Sequence, residues 1–180
     1  MPALLTPTAT ISFPTLFTPK ARSEGGEPVF SCSLLFGVSE QKSKEYKAMQ
    51  AACIEAAKAK FGEKVNISQV QMPFRDASEK DYVGYDDGVM YINPWTKQKP
   101  GIVDARLQDV LDPSLVYAGQ KVRAQVTPFA WMNSGKKGVS FGLNNIQIVK
   151  ADAPRIDGRV AANKAFDAIE EEEEDTEIPF

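Results

Sequence analysis

Hydrophobic and polar residues alternate along several stretches of the chain, which is the pattern typical of half-buried β-strands. Residues 9–17 and 29–36 show this alternation near the start, with Gly-containing breaks between and after them. Residues 121–131 and 137–148 show it over longer stretches, and a short strand is expected at 89–93. Most of the chain is therefore predicted to form a sheet.

One stretch has a different spacing, in which apolar residues recur every three or four positions. The apolar positions concerned are Tyr46, Met49, Cys53, Ala56, Ala57 and Phe61. Ser39 is suited to cap the start of a helix and Gly62 to end it. Strands, one amphipathic helix and further strands predict a mainly β fold, a small antiparallel barrel.

The last thirty residues lack a convincing apolar face. Residues 151–169 are predicted to be a linker that follows a folded domain at 1–150. Residues 170–180 hold seven acids and close on Ile178, Pro179 and Phe180. Because dense like charges repel one another and bury little apolar surface, this segment is expected to be a disordered acidic tail used for interaction.

The acids of the tail offset the net positive charge of the rest of the chain. The whole sequence has 21 Lys and Arg against 24 Asp and Glu. Without the seven tail acids, 17 acids remain and the body carries a net charge of +4. A basic body joined to an anionic arm favours a nucleic-acid-binding protein whose tail competes with its ligand.

The strand at 121–131 carries the strongest candidate binding surface. Alternation places Val122, Ala124 and Val126 on one face, and the other face receives Lys121, Arg123, Gln125, Thr127, Phe129 and Trp131. Cations neutralise phosphates and aromatic rings stack on unpaired bases, so this face suits a single strand of nucleic acid. A bulge at Pro128 would instead turn Phe129 and Trp131 into the core.

Other cations lie in loops beside aromatic strands, and they are Lys20, Arg22, Lys97, Lys99, Lys136 and Lys137. Trp95 adds a ring next to two of them. Arg75 is a further candidate, although it could pair with Asp76. Tyr91 lies on the opposite parity from Met90 and Ile92, so it is predicted to be an exposed stacking residue. Together with Lys121, Arg123, Phe129 and Trp131, these residues are the candidate DNA contacts.

The residues that the chain lacks argue against catalysis. It has no His, no Walker loop and no Gly-x-Ser-x-Gly motif, so no enzyme activity, cofactor or metal is expected. Asp81, Asp86 and Asp87 fit turn chemistry better than a magnesium site. Cys32 and Cys53 lie far apart in apolar segments and are expected to be buried, reduced thiols of a cytoplasmic protein. No stretch is apolar enough to span a membrane.

The tip of the tail resembles the C-terminus of bacterial single-stranded DNA-binding proteins, an acidic run followed by Ile-Pro-Phe. That resemblance implies a tail that recruits replication and repair proteins and competes with DNA. The expected partner-binding residues are Glu177, Ile178, Pro179 and Phe180.

Four further segments resemble a phage and prophage family whose characterised members are single-stranded DNA-binding proteins. They are ISFPTLFTPK at 11–20, KPGIVD at 99–104, YAGQKVRA at 117–124 and KGVSFGLNNIQ at 137–147. The resemblance spans roughly residues 8–150 and implies an OB-fold barrel that binds single-stranded DNA in replication or recombination, with a tail that contacts other replication proteins.

We therefore expect a non-enzymatic protein that coats exposed single strands largely without sequence preference. A protein-interaction or assembly factor, with the barrel face binding polypeptide, is the alternative, and a metal-dependent nuclease is a third. The sequence leaves the oligomeric state open.

Overall fold

A computed structural model describes residues 2–159 and 165–169. Within them the strands are β1 Leu4–Leu5, β2 Ala9–Ala21, β3 Pro28–Phe36, β4 Val70–Gln71, β5 Arg75–Asp76, β6 Met90–Ile92, β7 Trp95–Thr96, β8 Gly101–Val103, β9 Lys121–Asn133 and β10 Lys136–Lys150. The helices are α1 Val38–Gln41 and α2 Lys44–Phe61, with 3-10 turns at Ile67–Gln69, Ala77–Glu79 and Pro113–Leu115. Each strand predicted from alternation is present, with small differences at its ends. The predicted tail, 170–180, lies outside the described residues.

Five strands close into a barrel. β2 pairs with both β3 and β9, β9 pairs with β10, β10 pairs with β7, and β7 pairs back to β3. The ring β2-β3-β7-β10-β9 therefore has no open edge, which confirms the predicted OB-fold-like barrel. It is not wholly antiparallel, because β4, β7 and β8 each pair in parallel with β10. Long connections between α2 and β9 supply these short strands, and parallel pairing requires such connections.

Helix α2 packs its apolar stripe against the barrel interior. Its buried residues are Tyr46, Met49, Cys53, Ala56 and Ala57. The Tyr46 ring contacts Phe36 edge-on, with ring centroids 5.3 Å apart, and its centroid lies 5.2 Å from that of Phe74. Phe74 in turn contacts Phe141 of β10, with centroids 5.8 Å apart. These aromatic contacts join the helix to the sheet. The apolar residues that recur every three or four positions are therefore buried against the sheet, as predicted.

The start of this helix differs from the prediction. Ser39 lies inside α1, and its hydroxyl donates to the Glu40 carboxylate. Ser43 caps α2 instead, because its Oγ accepts the Tyr46 N–H at 3.1 Å. The end is as predicted: Gly62 has a φ of 100°, which glycine adopts without strain, and its N–H reaches the Lys58 carbonyl.

Both cysteines are buried and free, as expected. Burial raises the pKa of the Cys32 and Cys53 thiols to about 12, so both remain protonated at neutral pH. Within the described residues, no helix has the length and apolarity needed to cross a membrane.

The segment predicted to be a linker begins with residues bound to the barrel. The Tyr117 hydroxyl lies 2.7 Å from the Ala151 carbonyl oxygen and 2.6 Å from that of Ala153, and the Ile156 N–H donates to the Ala118 carbonyl. Ala153 is buried. The division into domain, linker and tail stays a prediction.

Replacing the cap of α2 tests the helix start. Ser43→Ala removes the acceptor of the Tyr46 N–H, so we expect a loss of about 1 kcal/mol in the free energy of unfolding. Ser39→Ala, the matched control, removes only an exposed hydroxyl contact and should change stability by a few tenths of a kcal/mol at most. Urea denaturation of both variants measures the difference, and a larger loss for Ser39→Ala would contradict the assignment.

Candidate nucleic-acid interface

The alternation predicted for β9 is present in the barrel. Val122, Ala124 and Val126 are buried, whereas the opposite parity is exposed or half-buried. Pairing with β10 runs without a shift from Thr127 through Pro128 to Asn133. The register shift lies in β10 between Leu143 and Asn145, so no bulge occurs at Pro128. Phe129 and Trp131 therefore stay on the outer face of the sheet, both half-buried.

Small residues of β10 form the floor beneath these rings. Gly138 lies opposite Trp131 and Ser140 lies opposite Phe129, with Gly142 next on the same parity. The Trp131 indole lies directly over Gly138, where a Cβ atom would overlap its six-membered ring. Its Nε1 donates to the Ser140 hydroxyl at 2.9 Å. The floor and this hydrogen bond hold the ring in one orientation.

Trp95 extends the aromatic surface onto β7. It pairs with Gly142 of β10 on one side and with Ser31 of β3 on the other. Its ring meets Phe129 edge-on, with centroids 5.8 Å apart, and the Arg22 guanidinium carbon lies 5.8 Å from the Trp95 centroid. Three predicted rings from two distant strands, β7 and β9, thus share one face.

Two guanidinium groups border a cleft of about 140 Å³ beside these rings. Its lining includes Arg22, Arg75, Asn93, Trp95, Trp131 and Ser140. Partial burial lowers the pKa of Arg22, and the charge of nearby Arg75 lowers it further. Arg22 nevertheless stays a cation at neutral pH, because arginine is effectively always protonated in proteins. We call this lining the cationic cleft.

Neither arginine of the cationic cleft forms an ion pair with a carboxylate of the described residues. In particular, Arg75 does not pair with Asp76. The Asp76 carboxylate accepts the Ser78 hydroxyl at 2.7 Å and the Ser78 N–H at 2.9 Å, and these bonds lower its pKa. Two like charges without a neighbouring acid form a site suited to an anion.

The other predicted cations are more dispersed. Lys97 pairs with Glu27 at 2.8 Å, both exposed, so its charge is already balanced by a neighbour. The Lys99 ammonium lies 4.8 Å from the Phe17 ring centroid and that of Lys137 lies 5.3 Å from Phe61. Lys20 and Lys136 are exposed.

Lys121 and Arg123 share a face with Trp131 but lie far from it. Lys121 donates to the Thr10 hydroxyl, and the Arg123 Nε donates to the Gln147 side chain at 2.7 Å. Eight residues separate Arg123 from Trp131, which is about 27 Å along an extended strand. The parity prediction was right, but the cationic end and the aromatic end of β9 are separate regions.

The structure contradicts the prediction that Tyr91 is open for stacking. Tyr91 is 2% exposed and packs with Leu35, Ala77 and Tyr85. Its parity does direct it to the outer face, but the connection between β5 and β6 covers that part of the sheet. A ring enclosed on both sides cannot receive a base.

Sequence reasoning missed the small residues of the floor. Gly138, Ser140 and Gly142 occupy one parity of a strand whose other parity is Val139, Phe141 and Leu143, and this contrast was a readable signal. Asn93 was also missed. The predicted partner-binding residues Glu177, Ile178, Pro179 and Phe180 lie outside the described residues.

A closed five-stranded barrel with α2 packed against its interior defines an OB-fold-like protein. The chain belongs to the family of the Enterobacter phage Enc34 ssDNA-binding protein, whose family model matches residues 3–177. This membership confirms the resemblance predicted from the sequence. No curated protein sequence matches the chain.

Solved structures of two phage proteins are similar in fold. The single-stranded DNA-binding protein from bacteriophage Enc34, in complex with ssDNA, superposes with a TM-score of 0.71 at 21% identity, over 84% of this chain and 88% of that one. A second structure of the single-stranded DNA-binding protein from bacteriophage Enc34 gives a TM-score of 0.68 at 21% identity, over 92% of this chain and 90% of that one. Gp2.5, a single-stranded DNA binding protein encoded by bacteriophage T7, gives 0.58 at 13% identity, over 89% and 98%.

Adding one methyl group at Gly138 tests whether the Trp131 ring rests on this residue. Gly138→Ala forces the indole to move, so we expect a loss of about 1–3 kcal/mol in unfolding free energy and a more solvent-accessible tryptophan. Gly142→Ala is the matched control, because its Cβ would lie at an ordinary 3.5 Å from the Thr127 carbonyl oxygen.

Acrylamide quenching in a Trp95→Phe background reports Trp131 alone, since the chain has two tryptophans. Equal quenching and equal stability in the two alanine variants would show that the ring does not rest on Gly138.

Proposed function

We propose that this protein binds single-stranded DNA during phage DNA replication or recombination, without catalysis and in the cytoplasm of the host cell. The observation that carries the proposal is the cationic cleft, in which Arg22 and Arg75 form no ion pair with an acid of residues 2–159 or 165–169 and lie beside Trp95 and Trp131. Family membership supports the same ligand.

Binding in the cationic cleft divides between phosphates and bases. Partial burial and the charge of Arg75 both lower the pKa of Arg22, so a phosphate placed between the two guanidinium groups relieves their repulsion and gains charge-assisted hydrogen bonds. Bases stack on the aromatic rings nearby, each contributing roughly 1–3 kcal/mol. Because the Ser140 hydroxyl already holds the Trp131 ring, little conformational entropy is lost when a base docks.

The same geometry favours an unpaired strand without sequence preference. Only unstacked bases offer their faces to an aromatic side chain, and the bases of a duplex are stacked on one another. The floor consists of glycine and serine, which cannot read the edge of a base as a bidentate side chain would. Asn93, which could do so, already accepts the Ser33 hydroxyl at 2.6 Å through its Oδ1.

Charge removal at the cationic cleft tests the proposal. Arg22→Gln and Arg75→Gln each remove one phosphate contact, so affinity for an oligothymidine should fall and the log–log salt slope should decrease in magnitude by about 0.7 for each. Lys97→Gln is the control: it removes the same charge from a residue paired with Glu27, and the slope should change less.

Fluorescence titrations at several salt concentrations measure both quantities. Binding that does not depend on salt, or an equal effect of all three variants, would contradict the assignment of the cleft.

We propose further that the acidic tail competes with DNA and recruits replication proteins. The body carries a net charge of +4 and residues 170–180 carry seven acids, so the two attract one another. When DNA is bound to the positively charged body, the tail is displaced and its Ile178-Pro179-Phe180 tip is available to a partner.

Two truncations separate the roles of the tail. Deleting 170–180 should tighten DNA binding, most strongly at 0.01 M salt, where the Debye length is roughly 30 Å. Deleting Phe180 alone leaves every acid in place, so DNA affinity should stay constant while binding to a replication protein of the same phage falls. Unchanged partner binding after removal of Phe180 would refute recruitment, whereas unchanged DNA affinity after removal of 170–180 would refute competition.

A further inference from the structure

A second pair of exposed aromatic rings lies on the barrel surface, apart from the cationic cleft. Phe13 is 54% exposed and Tyr82 is 52% exposed. Their rings meet edge-on with centroids 5.0 Å apart. Large exposed rings that contact one another mark a surface built for a ligand more often than isolated surface residues do.

The pair lies at the end of the sheet surface that begins at Trp95. Trp95 pairs with Ser31 of β3, and Ser31 pairs with Thr15 of β2. Two strand spacings of about 4.8 Å put Thr15 about 10 Å from Trp95, and Phe13 lies two residues further along β2. Bases stacked at 3.4 Å would span that interval in about three nucleotides.

The surface between the cationic cleft and Phe13 carries small polar side chains. Ser31 and Ser33 are half-buried and lie on the parity of β3 that faces outward. The Ser33 hydroxyl donates to Asn93, which lines the cationic cleft. Ser33 pairs with Ser12, the residue before Phe13. Ser12 and Ser33 lie beneath the Tyr85 hydroxyl, so the open surface between Trp95 and Phe13 runs over the small, half-buried side chains of Ser31 and Thr15.

The backbone of β2 holds Phe13 in an unusual conformation. The pairing of β2 with β3 shifts between Ser12 and Thr15, and within this bulge Phe13 has a φ of 46°. A bulky residue in the left-handed region is strained, and such strain is concentrated at binding sites. Glycine would fit this backbone at lower cost, so Phe13 holds its ring at the surface against a local backbone preference.

Tyr82 is fixed by the rings behind it. It meets Tyr85 edge-on at 5.3 Å, and Tyr85 meets the buried Tyr91 at 5.4 Å. The buried Tyr91 thus anchors a row of rings that ends at the surface in Tyr82 and Phe13. A rigid row of this kind loses little entropy when a base stacks on its exposed end.

Charged residues of both signs border the same region. A cleft of about 640 Å³ is lined by Phe13, Tyr82, Arg155 and Arg159, and by the acids Asp81 and Asp157. Arg155 pairs with Asp157 at 3.0 Å and lies over the Tyr117 ring. These charges balance, so the rings of Phe13 and Tyr82 would contribute by stacking on bases rather than by phosphate contacts.

We propose that Phe13 and Tyr82 form a second stacking platform for the same single DNA strand that occupies the cationic cleft. This inference rests on the proposed function, since the platform extends the path of that ligand across β3 and β2. The platform adds affinity only for an oligonucleotide long enough to cover both regions.

Oligothymidines of two lengths test the platform, one of about 2 nucleotides, too short to span the interval, and one of about 12, within the range of OB-fold site sizes. Phe13→Gly and Tyr82→Leu should each weaken binding of the long oligonucleotide by roughly 5- to 150-fold and leave the short one unchanged. Tyr82→Phe keeps the ring and is the matched control, so its affinities should equal those of the wild type. Phe13→Gly relieves the positive φ, so the variant is expected to fold, and circular dichroism melting verifies this.

The outcomes separate this proposal from the proposed function. Trp131→Ala should weaken both lengths, since it acts at the cationic cleft. Unchanged binding of the long oligonucleotide by Phe13→Gly and Tyr82→Leu would overturn the platform and indicate a protein contact there instead. Equal loss at both lengths would also overturn it, because the rings would then act through the cleft. If the wild type binds neither oligonucleotide, the proposed function fails first.

Discussion

The pairing of β9 with β10 is the interaction on which the barrel and its outer face both depend. β10 joins the antiparallel β9 on one side and the parallel strands β4, β7 and β8 on the other, so it carries the floor beneath Trp131 and the pairing that positions Trp95. A register slip of one residue would turn Trp131 and Phe129 inward and Val126 outward. The buried parity of Val139, Phe141 and Leu143 opposes such a slip, because it would expose all three.

The outer face gives up some stability for its shape. Gly138 contributes no side chain of its own, yet it allows the Trp131 indole to lie flat against the sheet. The Arg75 charge and partial burial both disfavour the charged form of Arg22. This repulsion is relieved when an anionic ligand is present, and the flat indole offers its face to a planar one. Beneath this face, the ring of strands and α2 bury a continuous apolar core.

Local patterns were sufficient to predict what depends on local geometry. The alternation of β9 fixed the parity of Phe129 and Trp131, and the spacing of Met49, Cys53 and Ala57 identified the buried stripe of α2. The alternation of a strand shows which face a residue lies on, but not what covers that face. Tyr91 was therefore expected to be exposed, although the loop between β5 and β6 encloses it. The start of α2 was misplaced because Ser39 and Ser43 are equally good caps in sequence, and only the path of the chain after β3 decides between them.

The composition of the cationic cleft depended on contacts between distant segments. Arg22 follows β2 and Arg75 begins β5, and they come together because β3 and β6 place these strands on one sheet. Lys97 looked equivalent to them in sequence, but the fold brings Glu27 to it and removes its charge from the available set. The distinction between a paired and an unpaired cation therefore arises at the level of sheet topology. It is also the distinction that matters for binding, because only an unpaired cation can gain a phosphate without first losing a carboxylate.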